Sequence, residues 1–424
     1  MTRLSRRHLL AALATAGCGS RELSPGEMSL WFTYGGRNRK VLLELVDRFH
    51  GAQSKVKVQP TFQGDYFEGL VKLRTGLFVG STPTVTHVIG EVVPYLAEAG
   101  VLSPLSELEA EVKADIDPVL GQAGSFVGGD ERPLYALPFN RSTPVAYYNK
   151  NAFQEAGLKP PTIWAEMREV ARALTRRNGN RTERWGFECP IAWWFWIAML
   201  GQAGGRVIEA DGRVSLGGDA GVEALQHWQT MIHRDRSMKP PPGRDFNAWE
   251  ATNSDFLAGR VAMIWTSTAF LSYLTDNASF ELGVAPLPQQ VRFSVPTGGT
   301  FFVMPAGVKG AEREAGLAFL RFMMSPASAN HWATNTGYMP VSLTGRQRLE
   351  AQGFFDANPD FKVTLDQLAY AQAWPWAPEL FRVQREAVQP RLEQAVLQQK
   401  DGAAMLAEAR ASLREAGIAT GDAG

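Results

Sequence analysis

A short polar stretch between two prolines is the first candidate for binding chemistry in this chain. It lies in the sequence PFNRSTPVAYYNK, where Asn140, Ser142 and Thr143 supply short hydrogen-bonding side chains. Pro138 and Pro144 stiffen its two ends, because the proline ring fixes φ. Since the same residue types are common in ordinary turns, these residues alone favour a β-turn over a ligand contact.

Aromatic and acidic residues offer two further kinds of chemistry. The run WWFW, residues 193–196, suits a hydrophobic core, but flat aromatic faces also stack on sugars or lie under cations. Asp65 and Glu91 are the carboxylate pair that a carbohydrate-active hydrolase would use, at a controlled separation across the bond. Two acids in one neighbourhood of the sequence are weak support for a hydrolase, so we expect a protein that is not an enzyme.

Motifs of other catalytic classes are missing from the sequence. It contains neither a GxxxxGK[ST] phosphate loop nor a GxSxG nucleophile elbow. None of its six histidines has the spacing of zinc ligands. We therefore expect no cofactor and no metal.

The overall charge argues against nucleic acid as the main partner. The 424 residues contain 43 Lys plus Arg and 43 Asp plus Glu, which gives a formal net charge of zero. Binding to phosphate backbones needs a basic surface. A small charged ligand needs only a local field, so a small-molecule partner remains open.

The N-terminus has the features of an export signal. Arg3, Arg6 and Arg7 precede the apolar run Leu9–Ala16, and small residues then lead to Cys18. The ending AGC resembles a bacterial lipoprotein cleavage box, which implies that Cys18 carries lipid. The alternative is an ordinary secretory signal with an incidental cysteine. In either case we expect an exported protein, periplasmic or on the cell surface.

Strand and helix patterns alternate along the rest of the chain. SLWFTYGG, KVKVQPTF, TVTHVIG and VAYYNK have the composition of strands. Apolar residues recur at helical spacing between them: Leu42, Leu45, Val46 and Phe49; Phe67, Leu70, Val71 and Phe78; Trp164, Met167, Val170, Ala171 and Leu174. The alternation predicts α/β lobes, each with a parallel sheet covered by helices. Because the pattern restarts after residue 144, we expect two lobes.

Several segments resemble a known family in the correct order. LPFNRSTPVAYYNKNAFQEAGL resembles the first crossing between lobes in family 1 extracellular solute-binding proteins, the receptors of bacterial ABC importers. TFQGDYFEGLVKLRTG, FLAGRVAMIWTSTAFLSYL, VPTGGTFFVMP and WATNTGYMPVS resemble later segments, and the likeness extends from about residue 29 to the C-terminus. It is greatest to the glycerol 3-phosphate and glycerophosphodiester receptors. The resemblance implies a two-lobed periplasmic-binding-protein fold with the ligand cleft between the lobes.

The resemblance also implies which residues line the cleft. Tyrosines would present hydroxyls and ring faces, and Glu91 would accept hydrogen bonds from glycerol hydroxyls, although its match requires a one-residue shift onto Gly90. Serines would donate to ligand oxygens, glycines would let backbone amides approach an anion, and tryptophans would line the pocket. The implied residues are Tyr66, Glu91, Ser142, Trp193, Trp196, Ser267, Gly298, Gly299 and Tyr338.

One segment departs from the resembled receptors. They carry a GLRLG-like stretch whose arginine grips phosphate, whereas this chain has WPWAP, with Ala377 at about the arginine position. A bidentate arginine–phosphate contact is difficult to replace, so the departure weakens the case for a monophosphate ligand. Arg141 and Arg382 are nearby candidates for the missing cation. Trp374 and Trp376 suit a choline head group or a neutral sugar.

These observations predict a receptor that captures a glycerol 3-phosphate or glycerophosphodiester solute and delivers it to the transmembrane subunits of an ABC permease. A neutral oligosaccharide is the alternative ligand. We expect a monomer that is held at the membrane by the lipid on Cys18. The predicted divisions are an export signal at 1–18, a tether at 19–27, lobe one at 28–142 plus 266–315, and lobe two at 145–262 plus 318–424.

Overall fold

The computed structural model describes residues 23–24, 26–121 and 132–421. The predicted export signal, Cys18 and most of the tether lie outside these residues. The strands are β1 (Glu27–Phe32), β2 (Lys57–Phe62), β3 (Thr86–Ile89), β4 (Ala136–Ser142), β5 (Pro144–Asn149), β6 (Arg176–Asn178), β7 (Arg181–Glu188), β8 (Met238–Lys239), β9 (Val261–Ser267), β10 (Leu282–Ala285), β11 (Val295–Pro296), β12 (Gly298–Val303) and β13 (Ala371–Gln372).

Helices surround these strands. The α-helices are α1 (Gly36–Ala52), α2 (Tyr66–Val79), α3 (Val93–Glu98), α4 (Ser106–Lys113), α5 (Pro118–Gly121), α6 (Lys150–Glu155), α7 (Trp164–Leu174), α8 (Trp193–Gln202), α9 (Gly218–Gln229), α10 (Asp245–Leu257), α11 (Leu271–Asn277), α12 (Gly310–Met323), α13 (Pro326–Thr336), α14 (Leu343–Ala351), α15 (Phe354–Ala357), α16 (Pro359–Asp366), α17 (Leu380–Arg382), α18 (Gln389–Leu397) and α19 (Gly402–Glu415). Short 3₁₀ turns cover Gly90–Val92, Thr268–Phe270 and Gln367–Tyr370, and π-helical turns cover Thr230–Arg234 and Val383–Val388.

The sheet of lobe one is mixed rather than parallel. β1 pairs with β2 in parallel, and a parallel bridge from Leu30 to Val85 joins β1 to the start of β3. β12 then lies antiparallel between β3 and β4. The prediction of a purely parallel sheet is therefore wrong, because β12 enters the lobe from a distant part of the chain and the sequence pattern of one strand does not reveal its direction.

The sheet of lobe two has the order β10-β5-β9-β7-β6, and β8 pairs with β7. β7 is parallel to β9 and to β8, whereas β5 is antiparallel to both β9 and β10. Helix α7 covers this sheet with the predicted apolar face of Trp164, Met167, Val170, Ala171 and Leu174, all of which are buried. Cys189, a free cysteine, is also buried in this lobe.

The polar stretch between the two prolines forms the crossing between lobes. Ser142 ends β4 and pairs with Gly298 in lobe one, whereas Pro144 begins β5 and pairs with Ser267 in lobe two. The chain thus leaves one sheet and enters the other within three residues. Thr143 lies between them and is fully buried. The two prolines therefore flank a direct strand-to-strand passage instead of the plain turn that their types favour.

The second lobe boundary differs from the predicted one. The division at residue 318 placed α13 in lobe two, but Trp332 of this helix packs on Tyr34 and Phe139 of lobe one, at ring-centroid distances of 5.3 and 4.5 Å. The buried cluster of lobe one includes Met339 and Val341. The apolar face of α13 decides its lobe through this packing, whereas sequence order suggested the other lobe.

Helix α2 positions Tyr66 through its capping. The Asp65 carboxylate accepts hydrogen bonds from the backbone N–H groups of Phe67 and Glu68, and Gly80 ends the helix in the left-handed conformation. Fewer of its apolar side chains are buried than the periodicity predicts. Phe78 is 92% exposed and Val71 is 63% exposed. Leu70 and Leu73 are the positions that the lobe buries.

Candidate functional site

A hydrogen-bonded trio joins three separate parts of lobe one. The Asn140 amide nitrogen donates to the Tyr66 hydroxyl at 3.0 Å and to the Tyr338 hydroxyl at 3.2 Å. The two hydroxyl oxygens lie 3.3 Å apart. Tyr66 comes from the start of α2, Asn140 from β4, and Tyr338 from the loop after α13. The trio therefore brings together two predicted tyrosines and the asparagine of the crossing.

A second layer of polar contacts holds Asn140 in place. Its amide oxygen accepts from the Thr300 backbone N–H at 2.6 Å and from the Thr300 hydroxyl. The His87 Nε2 accepts from the Thr33 backbone N–H at 3.0 Å, so the ring proton is on Nδ1 and is directed at the Thr300 hydroxyl, 2.8 Å away. Burial lowers the pKa of His87 to about 3, which keeps this ring neutral. Asn140 is consequently fixed in one orientation.

The trio has a hydrogen to offer a ligand. Burial raises the pKa of the Tyr66 and Tyr338 hydroxyls, so both stay protonated. Because Asn140 donates to both oxygens, neither phenolic hydrogen can be used toward its amide nitrogen. One of them can bond the other phenol, and the remaining one is available to an oxygen of a solute. The arrangement is thus suited to hydrogen-bond a hydroxyl, phosphate or sugar oxygen.

The glycine pair lies directly across from the crossing. Gly299 has φ of +96°, and a Cβ there would lie 1.7 Å from the carbonyl oxygen of Asn140. A Cβ on Gly298 would lie 2.6 Å from the ring of Trp194. Only glycine allows this close approach of β12 to β4 and to the indole. These contacts require glycine at both positions for structural reasons, in addition to the binding role that the resemblance implies.

Glu91 and Arg141 are buried charged groups beside the trio. Glu91 lies in the 3₁₀ turn after β3, and its side chain is 7% exposed. Burial raises the pKa of Glu91 to about 7, and Arg141 opposes this shift electrostatically. Arg141 is 1% exposed and packs over the ring of Phe301, with 4.3 Å from Cζ to the centroid. The structure thus places the predicted Glu91 in a buried environment.

The two predicted serines lie on opposite sides of the crossing. Ser142 is 4% exposed at the end of β4, and Ser267 is 7% exposed at the end of β9. The Ser267 hydroxyl accepts from the backbone N–H of Ala269 at 3.1 Å and caps the following 3₁₀ turn. It still has a hydrogen to donate, because a hydroxyl can accept and donate together.

The predicted tryptophans do not share one environment. The Trp193 ring is stacked on Trp374, with centroids 6.0 Å apart and an interplanar angle of 10°. Its Nε1 has no hydrogen-bond partner within the described parts of the chain. Trp196 is fully buried and donates to the carbonyl of Gly221 at 3.1 Å, so the structure places it in the core of lobe two and not with the trio.

Trp194, which the resemblance did not select, lies against Gly298. Its indole N–H donates to the carbonyl of Thr297 at 3.2 Å, and Trp374 donates to the same carbonyl at 2.9 Å. Two aromatic side chains from lobe two therefore reach the residue that directly precedes Gly298. The run WWFW shows that several indole rings are available. Only the fold sets the helical register, and the register determines which ring faces the glycines.

Comparison with known proteins now identifies the family. A family model described as bacterial extracellular solute-binding protein matches residues 44–363. The chain belongs to the bacterial extracellular solute-binding proteins. Two relatives are the sn-glycerol-3-phosphate-binding periplasmic proteins UgpB of Pectobacterium atrosepticum, 25% identical over 380 residues, and of Yersinia pseudotuberculosis, 26% identical over 372 residues. The matches cover 85% and 84% of this chain and 84% and 83% of the relatives.

Solved structures agree with this family and with the two-lobed fold. UgpB of Mycobacterium tuberculosis, in complex with glycerophosphocholine, superposes with a TM-score of 0.81 and is 25% identical, over 92% of this chain and 98% of the other. The GacH receptor of Streptomyces glaucescens superposes with a TM-score of 0.82 at 22% identity, over 93% and 98% of the two chains. The predicted family and fold class are confirmed. The likeness to GacH, at 22% identity, shows the fold alone.

In this solute-binding protein the WPWAP segment lies between the lobes. β13 pairs in parallel with β11, which places the segment after it beside Thr297. Trp376 donates to the Glu98 carboxylate of lobe one at 2.9 Å. Farther along, the Arg385 guanidinium lies over the ring of Phe67, 3.9 Å from its centroid. An aromatic and a cationic group of the C-terminal region thus contact lobe one.

Other kinds of site are not found in the described ranges. Residues 26–121 and 132–421 contain no cluster of three or more His, Cys, Asp or Glu side chains that could hold a metal ion. The same residues form no helix with the length and apolar character needed to cross a membrane.

Proposed function

We propose that this receptor captures a glycerophosphodiester solute and delivers it to the transmembrane subunits of an ABC importer. The observation that carries the proposal is the trio of Tyr66, Asn140 and Tyr338, which offers a phenolic hydrogen beside the crossing. The Mycobacterium tuberculosis relative with glycerophosphocholine supports this ligand class. The relatives named for sn-glycerol 3-phosphate support the same chemical family.

The nine residues implied by the resemblance belong to this proposal in three groups. Tyr66, Ser142, Ser267 and Tyr338 supply hydroxyls, while Glu91, Gly298 and Gly299 form the floor around them. Trp193 supplies an aromatic face through its stacking with Trp374. Trp196 supports that face from behind, with ring centroids 5.8 Å apart. We add Trp194 to the aromatic group because it contacts the same carbonyl as Trp374.

A phosphodiester suits the site better than a phosphate monoester. A monoester is close to a dianion at neutral pH, and its burial without matched cations costs several kcal/mol. A diester carries a single negative charge. Choline adds a cation, which an indole face can stabilise by about 0.5–2 kcal/mol. The tryptophans of WWFW and WPWAP provide such faces.

Calorimetry on the purified receptor tests the ligand class. Glycerophosphocholine should bind at least tenfold more tightly than sn-glycerol 3-phosphate, and maltose should bind more weakly than both. The reason is the single charge of the diester and the cation–π contact of choline. A receptor that bound maltose alone would instead support the neutral oligosaccharide, which the stacked Trp193 and Trp374 faces would also suit.

A hydrolase function has little support from the geometry. The Asp65 carboxylate caps α2 by accepting the N–H groups of Phe67 and Glu68, so it is directed at the backbone. Glu91 is buried in a different turn. Paired catalytic carboxylates must both face one bond of the substrate. The relatives are solute-binding proteins as well, and we infer that the ligand is returned intact.

We further propose that the mature receptor is a monomer held at the outer face of the cytoplasmic membrane by lipid on Cys18. The sequence AGC after a short apolar run supports this anchor. Closure of the two lobes around a solute would present the surface that the permease subunits bind.

Cys18→Ser should release the receptor from membranes. Several acyl chains hold a protein almost permanently, so the wild type should stay in the pellet in high salt, whereas the variant should appear in the soluble fraction. Cys189→Ser is the matched control, because this cysteine is buried within lobe two. A Cys18→Ser variant that remained in the membrane pellet would contradict the anchor.

A further inference from the structure

We propose that Arg141 is the cation that pairs with the acidic group of the solute. The inference rests on the proposed function, because it names the residue that binds the negatively charged group of a glycerophosphodiester. Arg141 immediately follows Asn140 on β4, so it shares its strand with the residue at the centre of the trio. It lies in the segment that crosses between the lobes, and its side chain leaves β4 toward Leu120, Thr297 and Phe301.

Neighbouring groups hold the guanidinium in place, but they do not use all of its N–H donors. Nε donates to the carbonyl of Leu120 at 3.0 Å, and Nη2 donates to the Thr297 hydroxyl at 3.0 Å. The Phe301 ring lies beneath its plane. These contacts fix the guanidinium in one orientation. The Nη1 atom, buried like the rest of the side chain, has no hydrogen-bond partner within residues 26–121 and 132–421.

Within the part of the chain that the structure describes, the charge of Arg141 also has no direct counter-ion. None of the ion pairs formed among the described residues includes Arg141; Glu91 acts on it only from a longer range. An arginine without a paired anion is costly to bury. A solute anion would supply the missing charge and accept the hydrogens of Nη1.

Thr297 connects the cation to the aromatic side of the site. Its hydroxyl accepts from Arg141, while its carbonyl accepts from Trp194 and Trp374. A solute whose acidic group reaches Arg141 would therefore have tryptophan faces within the length of a small organic cation. Separation of the lobes would break the hydrogen bonds that Trp194 and Trp374 donate to Thr297, and this would open a path for the solute to the guanidinium. This arrangement matches a zwitterion with a phosphodiester at one end and a quaternary ammonium at the other.

Binding measurements on Arg141 variants test this assignment. Arg141→Met should weaken glycerophosphocholine binding at least thirtyfold, because it removes the charge and the free N–H group but keeps an apolar stem. Arg141→Lys should weaken binding less, by about three- to tenfold, since lysine keeps the charge but lacks the planar guanidinium with its several N–H donors. The matched control is Arg168→Met, which removes an arginine that pairs with Asp235 within lobe two. It should leave affinity within twofold of the wild type.

Each outcome separates the assignment from the proposed function. If wild type fails to bind any phosphodiester, the proposed function fails and the assignment with it. If wild type binds glycerophosphocholine and Arg141→Met binds equally well, only the assignment is overturned. If Arg141→Met does not fold, the graded loss in Arg141→Lys decides, with an unchanged affinity in that folded variant overturning the proposal. Circular dichroism and the apo melting temperature establish folding in each case.

Discussion

Asn140→Ala should lower the free energy of unfolding by about 3 kcal/mol. The amide of Asn140 accepts from the backbone and hydroxyl of Thr300 and donates to both Tyr66 and Tyr338, and the side chain is fully buried. Alanine leaves the Thr300 N–H without its acceptor and removes the donor that both phenols share. Each buried polar group left unsatisfied costs about 1–3 kcal/mol. Urea unfolding followed by tryptophan fluorescence measures the change.

Two further variants define the source of that loss. Tyr66→Phe removes one hydroxyl from the trio and should cost only about 1 kcal/mol, because Asn140 keeps its other three contacts. Asn178→Ala removes an exposed amide that bonds Glu183 at 3.3 Å, and it should change stability by less than about 0.5 kcal/mol. A cost of under about 1 kcal/mol for Asn140→Ala would show that the trio does not organise lobe one.

Glu91→Gln should make the receptor more stable at pH 8 and have little effect near pH 4. Burial raises the pKa of Glu91 to about 7, from an ordinary value of 4.5. Below the ordinary value the carboxyl is protonated in both states. As pH rises toward 7, the unfolded chain ionises while the folded one stays protonated, so the wild type loses stability through this window. Above 7 the loss is constant, at about 3 kcal/mol.

Glutamine has no such titration, which makes the pH dependence diagnostic. The stability difference between Glu91→Gln and wild type should grow from pH 4.5 to 7 and then level off in denaturant titrations at fixed ionic strength. Glu91→Asp is the matched control, because it keeps a carboxyl in the same buried turn and should keep the pH dependence. A difference that stayed constant from pH 4 to 8 would mean that folding leaves the pKa of Glu91 unshifted, because the charge of Arg141 offsets the effect of burial.

Local patterns in the sequence predicted the elements of the fold well. The apolar face of α7 is buried as its period predicts, and the four segments with the composition of strands overlap β1, β2, β3 and β5. These features depend on neighbours within a few residues, so the sequence contains the needed information. The sheet directions and the lobe of α13 depend on packing between distant segments, and for that reason the predicted parallel sheet and the division at residue 318 differ from the structure.

The sequence by itself determined the family, the two-lobed fold and the place where the chain crosses between the lobes, because ordered local motifs are enough to specify them. Only the tertiary structure decided which side chains meet. Tyr66, Asn140 and Tyr338 are separated by 74 and 198 residues, yet they share two hydrogen bonds. His87 and Thr300 support that trio without any motif of their own. The buried state of Arg141 likewise depends on Leu120, Thr297 and Phe301, which only folding brings around it.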